Sequence, residues 1–131
     1  MGGSAVRDFR TLKVWQRAHQ LTLKIYSESK HFPREELFGL TSQMRRSSSS
    51  IGANIAEGWG KCGEGEFRRF LLIASGSASE LDYHLLLARD LNLLTGELYS
   101  SMAKELSEIR KMLTGLRQKA DTITSDLKAT G

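Results

Sequence analysis

The chain reads as an all-α protein, an antiparallel up-down-up-down four-helix bundle. Three observations predict this. Apolar residues recur at three- and four-residue steps along four long segments. The 131 residues hold a single proline and few β-branched residues in their apolar runs. The breaks between segments are short, which forces neighbouring helices to run in opposite directions at a shallow crossing angle. A chain of this length suits one domain, with a hydrophobic fraction of 40% and a charged fraction of 26% that mark it as globular.

Residues 1–10 are expected to be a flexible N-terminal segment, with Met1–Ser4 carrying no weight in the fold argument. The bundle domain is expected over 11–122. Its first helix spans Leu12 to about Lys30, with Leu12, Trp15, Ala18, Ile25 and Tyr26 on a wide apolar face. Pro33 interrupts it, because proline lacks a donor and biases the preceding residue away from helix. Glu35 and Glu36 suit the positive end of a second helix. That helix carries Leu37, Met44, Ile51 and Gly58 at heptad spacing, with Leu40 and Ile55 beside them, and ends in glycines.

A third helix is expected from about Glu64 to Leu94, with Phe67, Phe70, Leu71, Ala74, Ala78, Leu81, Leu85 and Ala88 as its seam. Its second half, with Leu86, Leu87, Leu91 and Leu93 added, is apolar nearly all round and expects neighbours on more than one side. Thr95-Gly96 then breaks the chain. The last helix, about Glu97 to Thr122, lines up Leu98, Met102, Leu106, Ile109, Leu113, Leu116 and Ala120. The polar remainder, 123–131, is expected to fray.

Folding the second and third helices back about residue 62 pairs positions whose numbers add to roughly 124, given equal rise in both helices. Ser47, Ser48, Ser49 and Ser50 then face Ser77, Gly76, Ser75 and Ala74, so two runs of small residues meet and the backbones approach closely. The same register brings Gln43 and Arg45 or Arg46 near Glu80. Asn54 and Glu57, one turn apart, are expected to hold the bundle or its turn together. Gln43, Arg46, Asn54, Glu57, Ser77 and Glu80 thus form an expected structural polar network.

No catalytic constellation emerges. Gly58-Trp59-Gly60-Lys61-Cys62-Gly63 spells a dinucleotide-binding loop, but that motif follows a strand, and here a helix precedes it. It reads as a helix C-cap and a turn. Glu80 and His84 lack the paired Glu-x-x-His motifs of di-metal bundles, so no metal or cofactor is expected. Lone Cys62 has no nearby histidine and the serine run lacks a nucleophile elbow, so the chain is not expected to be an enzyme. One cysteine, no signal-peptide core and no long apolar run predict a soluble, cytoplasmic protein with no membrane contact.

Charge is more informative. With 19 Lys+Arg against 15 Asp+Glu the formal charge is +4. In the folded bundle Arg7, Arg10, Lys13, Arg17, Lys61, Arg68, Arg69, Arg117 and Lys119 gather at one end, against Asp8, Glu57, Glu64, Glu66 and Asp121. That end carries the whole surplus, an asymmetry that suits a phosphate backbone. Arg10, Lys13, Arg17, Lys61, Arg68, Arg69, Arg117 and Lys119 are therefore the candidate nucleic-acid contacts, with Trp59 close enough to stack on a base. An oligomeric protein that binds RNA or DNA electrostatically is the leading expectation, and a protein-interaction scaffold is the alternative.

The strings Phe9-Arg10-Thr11-Leu12-Lys13-Val14-Trp15-Gln16, Phe32-Pro33-Arg34-Glu35-Glu36-Leu37-Phe38-Gly39-Leu40, Arg45-Arg46 and Ser50-Ile51-Gly52-Ala53-Asn54-Ile55-Ala56-Glu57-Gly58 resemble one family. So do Glu66-Phe67-Arg68-Arg69-Phe70-Leu71 and Ile73 to Leu81. It is the family of bacterial four-helix bundle proteins encoded in intervening sequences of 23S ribosomal RNA genes, and the resemblance covers about residues 9 to 116. It implies a four-helix bundle assembling into a homopentamer. It also implies kinship with the accessory subunit of diversity-generating retroelements, which binds nucleic acid and a reverse transcriptase through a basic surface. It supplies no reaction.

Overall fold

The computed structural model describes the backbone of residues 7–60 and 64–130, and the side chains of 7–60 and 65–120. It contains four α-helices, α1 (Lys13–Ser29), α2 (Ser42–Gly60), α3 (Glu64–Asp90) and α4 (Gly96–Thr130), and no strand among the described residues. A short 3-10 turn, Phe9–Thr11, precedes α1; Asp8 caps it by accepting the Arg10 backbone N–H at 3.0 Å.

Each helix buries one face at helical spacing. In α1 the buried line is Val14, Ala18, Leu21, Ile25 and Ser29, rotated from the expected one: Ala18 and Ile25 are shared, Leu12 and Trp15 are half-buried, and Tyr26 is exposed. In α3 it is Phe67, Phe70, Leu71, Ala74, Ala78, Leu81, Leu85 and Ala88, and in α4 Met102, Leu106, Ile109, Leu113 and Ala120. Cross-helix contacts show that neighbours run antiparallel. From α1 to α2, Trp15 lies against Gly52, Thr22 Oγ1 donates to the Ser48 carbonyl at 3.1 Å, and Arg45 Nε donates to Ser29 Oγ at 2.9 Å. From α3 to α4, Arg110 binds Asp82 and Ser79, and further along α3 Arg89 lies over Tyr99.

The α2–α3 register is offset from the expected one. Arg46 pairs with Glu80, and Ser50 Oγ lies 2.8 Å from Ser77 Oγ, each partner two or three positions later than equal backbone height gives. The cause is side-chain direction. Every Cα–Cβ bond tilts toward its own helix N-terminus, so residues that touch across an antiparallel pair lie further along both chains than residues at one level. The small-residue meeting survives the shift: Ser47, Ser48, Ala74 and Ala78 are all buried.

Besides the end of α4, which runs on to Thr130 instead of stopping near Thr122 with a frayed 123–131, three boundaries differ from expectation. The second α-helix starts at Ser42, not near Glu35. Ahead of it come a 3-10 turn, Arg34–Glu36, and a π turn, Leu37–Thr41, in which Gly39 leaves helical geometry at φ −108°, ψ −114°. The kink at Gly39 breaks the helical phase between Leu37 and α2, so Leu37 is 43% exposed and does not join the seam. Gly58 is no cap, since α2 continues to Gly60. A Cβ on Gly58 would stand 2.6 Å from Phe70 Cβ, so glycine is what lets α2 and α3 close together there. The third correction is at the α3–α4 corner, which turns on Asn92 and not on Gly96. Asn92 has φ 61°, and the bonds Leu93 N to Ala88 O (2.8 Å) and Asn92 N to Arg89 O (2.9 Å) close a Schellman motif around it. Gly96 is the first residue of α4, and Thr95 Oγ1 caps that helix by accepting the Leu98 N–H at 3.1 Å.

Candidate nucleic-acid interface

One end of the bundle collects the start of α1, the end of α2 and the start of α3. The Arg7 guanidinium sits 3.6 Å from the Trp59 ring centroid, and Trp59 meets Phe67 edge-on at 5.3 Å, so three chain segments share one aromatic core. Because α4 runs antiparallel to α1, its later turns, with Arg117 and Lys119, lie at this end too.

The eight candidate contacts differ in availability. Lys13 and Lys119 are exposed and make no ion pair among the described residues. Arg10 is exposed but held by Asp8, its Nε 3.0 Å from Asp8 Oδ1. The Arg10 side-chain hydrogen bond, and then its backbone N–H, draw the Asp8 carboxyl below its ordinary pKa. Arg69 is exposed, lies over the Phe70 ring at 4.5 Å and reaches Glu66 at 3.4 Å. Arg68 and Arg117 are half-buried. Lys61 lies outside the described residues, as does Cys62.

Arg17 is engaged elsewhere. Its Nε and Nη2 each donate to Glu105 at 2.8 Å, and Nη1 approaches Met112 Sδ at 3.8 Å, so it ties α1 to α4. The hydrogen bond from Arg17 holds the Glu105 carboxyl below its usual pKa, and the same bond raises that of Arg17. Arg7 is the cation free of any carboxylate partner among the described residues at this end that also stacks on an aromatic ring.

The polar seam between α2 and α3 is separate from this end. Arg46 binds both Glu80 and the Gln43 carbonyl oxygen, the latter from Nε at 3.0 Å and Nη2 at 2.8 Å. Asn54 Nδ2 donates to the Ser50 carbonyl at 2.8 Å and to Ser50 Oγ, which in turn meets Ser77. Ser47 Oγ and His84 Nδ1 are hydrogen-bonded at 3.2 Å, with Glu80 3.8 Å from His84 Nε2. Burial lowers the His84 pKa, against the opposing pull of Glu80. Glu57 takes no part: it is exposed and has no partner among the described residues. At the last turn of α2 its side chain points to water, which solvates the charge without a cross-bundle bond.

The sequence profile of the 23S rRNA-intervening sequence proteins matches residues 10–115. The chain belongs to this family. A crystal structure of a protein of unknown function from the S23 ribosomal protein family of Bacteroides thetaiotaomicron is similar in fold and sequence. It shares 30% identity at a TM-score of 0.75, over 80% of this chain and 95% of that one. No curated protein matches.

In this intervening-sequence protein, spacing along single helices left several residues unrecognised. Arg7 over Trp59, Arg17 on Glu105, Ser47 on His84 and Arg45 on Ser29 all join residues from different elements. The one available signal was polarity at a seam position, as for Ser47 and Ser29, since a buried hydroxyl needs a partner. Among the described residues no helix is long and apolar enough to cross a membrane, and no cluster of three metal-ligating side chains occurs.

Proposed function

We propose that this family member is a non-catalytic, oligomeric binding protein that contacts RNA or DNA through its basic end. The observation that carries this is the Arg7–Trp59 stack, a guanidinium with no carboxylate partner among the described residues lying on an indole, at the end of the bundle that also carries the exposed Lys13 and Arg69. Cations gathered from separate segments neutralise phosphates without demanding a sequence, and an aromatic ring adds stacking for bases. Self-association is supported by the outer face of α3, where Leu72, Ile73 and Tyr83 are each more than 40% exposed. The pentamer is the state that the family resemblance suggests.

The test is binding of fluorescent RNA and DNA at a series of salt concentrations. Affinity is expected to fall linearly on a log–log plot, with the slope reduced by about one for each contacting cation removed, as in Arg7→Ala or Lys13→Ala. Absence of binding at about 50 mM salt would sink the reading. Light scattering at monomer mass would sink the oligomer.

A second reading is favoured by Phe38, which is 91% exposed on the π turn at the opposite end. There the protein is a scaffold, or an accessory subunit of a reverse transcriptase, with no nucleic-acid role of its own. Capture of a protein partner that survives nuclease and is lost in Phe38→Ser would favour it.

A further inference from the structure

The far end of the bundle holds a second cationic feature, independent of the basic end. A hollow of about 250 Å³ opens between the end of α1 and the π turn before α2. The charged groups lining it are Lys30, Arg34 and Arg45, with no carboxylate among them. Of the acids that flank the lining residues in sequence, Glu28, Glu35 and Glu36, none lines the hollow, and Glu36 Oε1 accepts the Leu40 backbone N–H at 3.2 Å.

Arg45 is fixed in place. Its Nε donates to Ser29 Oγ at 2.9 Å, Nη2 reaches the Tyr26 carbonyl at 3.5 Å, and the guanidinium lies 4.9 Å from the Tyr26 ring centroid. All of these partners are neutral, so its charge is left uncompensated. Thr41 also lines the hollow. It is 2% exposed, and its hydroxyl is a buried side-chain polar atom without a hydrogen-bond partner among the described residues. A buried hydroxyl in that state is costly and calls for an explanation. The remaining wall is apolar, from Phe32, Pro33 and Leu37.

We propose that this hollow binds a phosphate monoester, with Lys30, Arg34 and Arg45 on the phosphoryl oxygens, the Thr41 hydroxyl, closed off from solvent in the free chain, rotating to donate, and the organic group against Phe32 and Pro33. Three cations without an ion pair among the described residues suit a group that carries close to two negative charges at neutral pH and presents three acceptor oxygens. A carboxylate, with one charge, needs fewer. The ester is either a free metabolite or the terminal phosphate of a nucleic-acid strand.

Calorimetry on the full chain tests this with phenyl phosphate, inorganic phosphate and benzoate as probes. Phenyl phosphate is expected to bind once per chain, inorganic phosphate more weakly for want of the apolar contact, and benzoate more weakly still. Arg34→Gln, at an exposed position, is expected to weaken phenyl phosphate about tenfold. Thr41→Val is expected to weaken it about threefold to tenfold while leaving the thermal midpoint unchanged or raised, since it removes an unpaired buried hydroxyl. Adenosine 5′-monophosphate, and one oligonucleotide carrying either a 5′-phosphate or a 5′-hydroxyl, separate the two sources. A preference for the phosphorylated strand over the free nucleotide assigns the strand terminus, and the reverse order assigns a free ester. No binding of phenyl phosphate at millimolar concentration, benzoate binding as tightly, or unchanged affinity in both variants overturns the proposal.

Discussion

Arg17 and Glu105 form a two-point contact across α1 and α4, with Nε and Nη2 each 2.8 Å from a different carboxylate oxygen. The Glu105 pKa is depressed in the folded protein, chiefly by the Arg17 hydrogen bond. Its stabilisation is therefore complete above the unfolded carboxylate pKa and is lost as pH falls through the lower, folded value. Glu105→Gln is expected to lower the urea midpoint at neutral pH. The gap between wild type and variant is expected to close as the solution is taken through the acid range, and a gap independent of pH would contradict the assignment.

Gly58 and Gly115 are both helical glycines with opposite prospects. A Cβ at Gly58 meets Phe70 Cβ at 2.6 Å and Phe67 Cδ1 at 3.1 Å, and the first of these cannot swing aside. Gly58→Ala is expected to destabilise by about 1–3 kcal/mol, overpacking outweighing the gain in helix propensity. Gly115 is exposed and a Cβ there meets nothing within 4 Å, so Gly115→Ala is expected to stabilise by about 0.5–1 kcal/mol. Thermal denaturation of the two variants checks both signs at once.

Asn92 holds the left-handed position at the α3–α4 corner. Asn92→Ala is expected to cost about 1–2 kcal/mol, because its Cβ crowds the following carbonyl without a local polar side chain to offset the strain. Asn92→Gly is expected to be neutral or mildly stabilising. Equal stability of all three chains in chemical denaturation would contradict the role given to this residue.

His84 has its pKa lowered by burial between α2 and α3. With a depressed folded pKa, the unfolded chain takes up a proton first on acidification, so stability falls as pH drops below the ordinary histidine range. His84→Gln is expected to flatten the urea midpoint between about pH 7.5 and about pH 5, the range in which an ordinary histidine titrates. A titration by NMR that places His84 above the ordinary histidine pKa would contradict the sign.

The core was legible in the sequence because burial repeats with the helix. Leu71, Leu81, Leu85, Leu106, Ile109 and Leu113, all fully buried, sit where the three- and four-residue steps put them. Leu37 breaks the pattern because the chain kinks at Gly39, so the periodicity of α2 does not carry back across it. The spacing points to Gly96 and not Asn92 because glycine enters the left-handed region at no steric cost, whereas asparagine does so less often and with help from its short polar side chain. The candidate site was legible only as a charge surplus. Whether Arg17 faces water or Glu105 depends on how α1 is rotated toward α4, 88 residues away, and no single helix encodes that angle.

The α2–α3 seam has a thermodynamic consequence of its own. Ala74 and Ala78 have no side-chain rotamer freedom to surrender on burial and Ser47 and Ser48 have little, whereas a leucine interface must freeze each side chain it orders. Close contact along this seam is reached at a low entropic cost. The hairpin of α2 and α3 is thereby the part of the bundle best placed to persist when α1 and α4, tied across by half-exposed polar pairs, open first. Backbone amides near Ile51 and Leu81 are then expected to be the slowest to exchange their protons with solvent, which hydrogen-exchange measurements check.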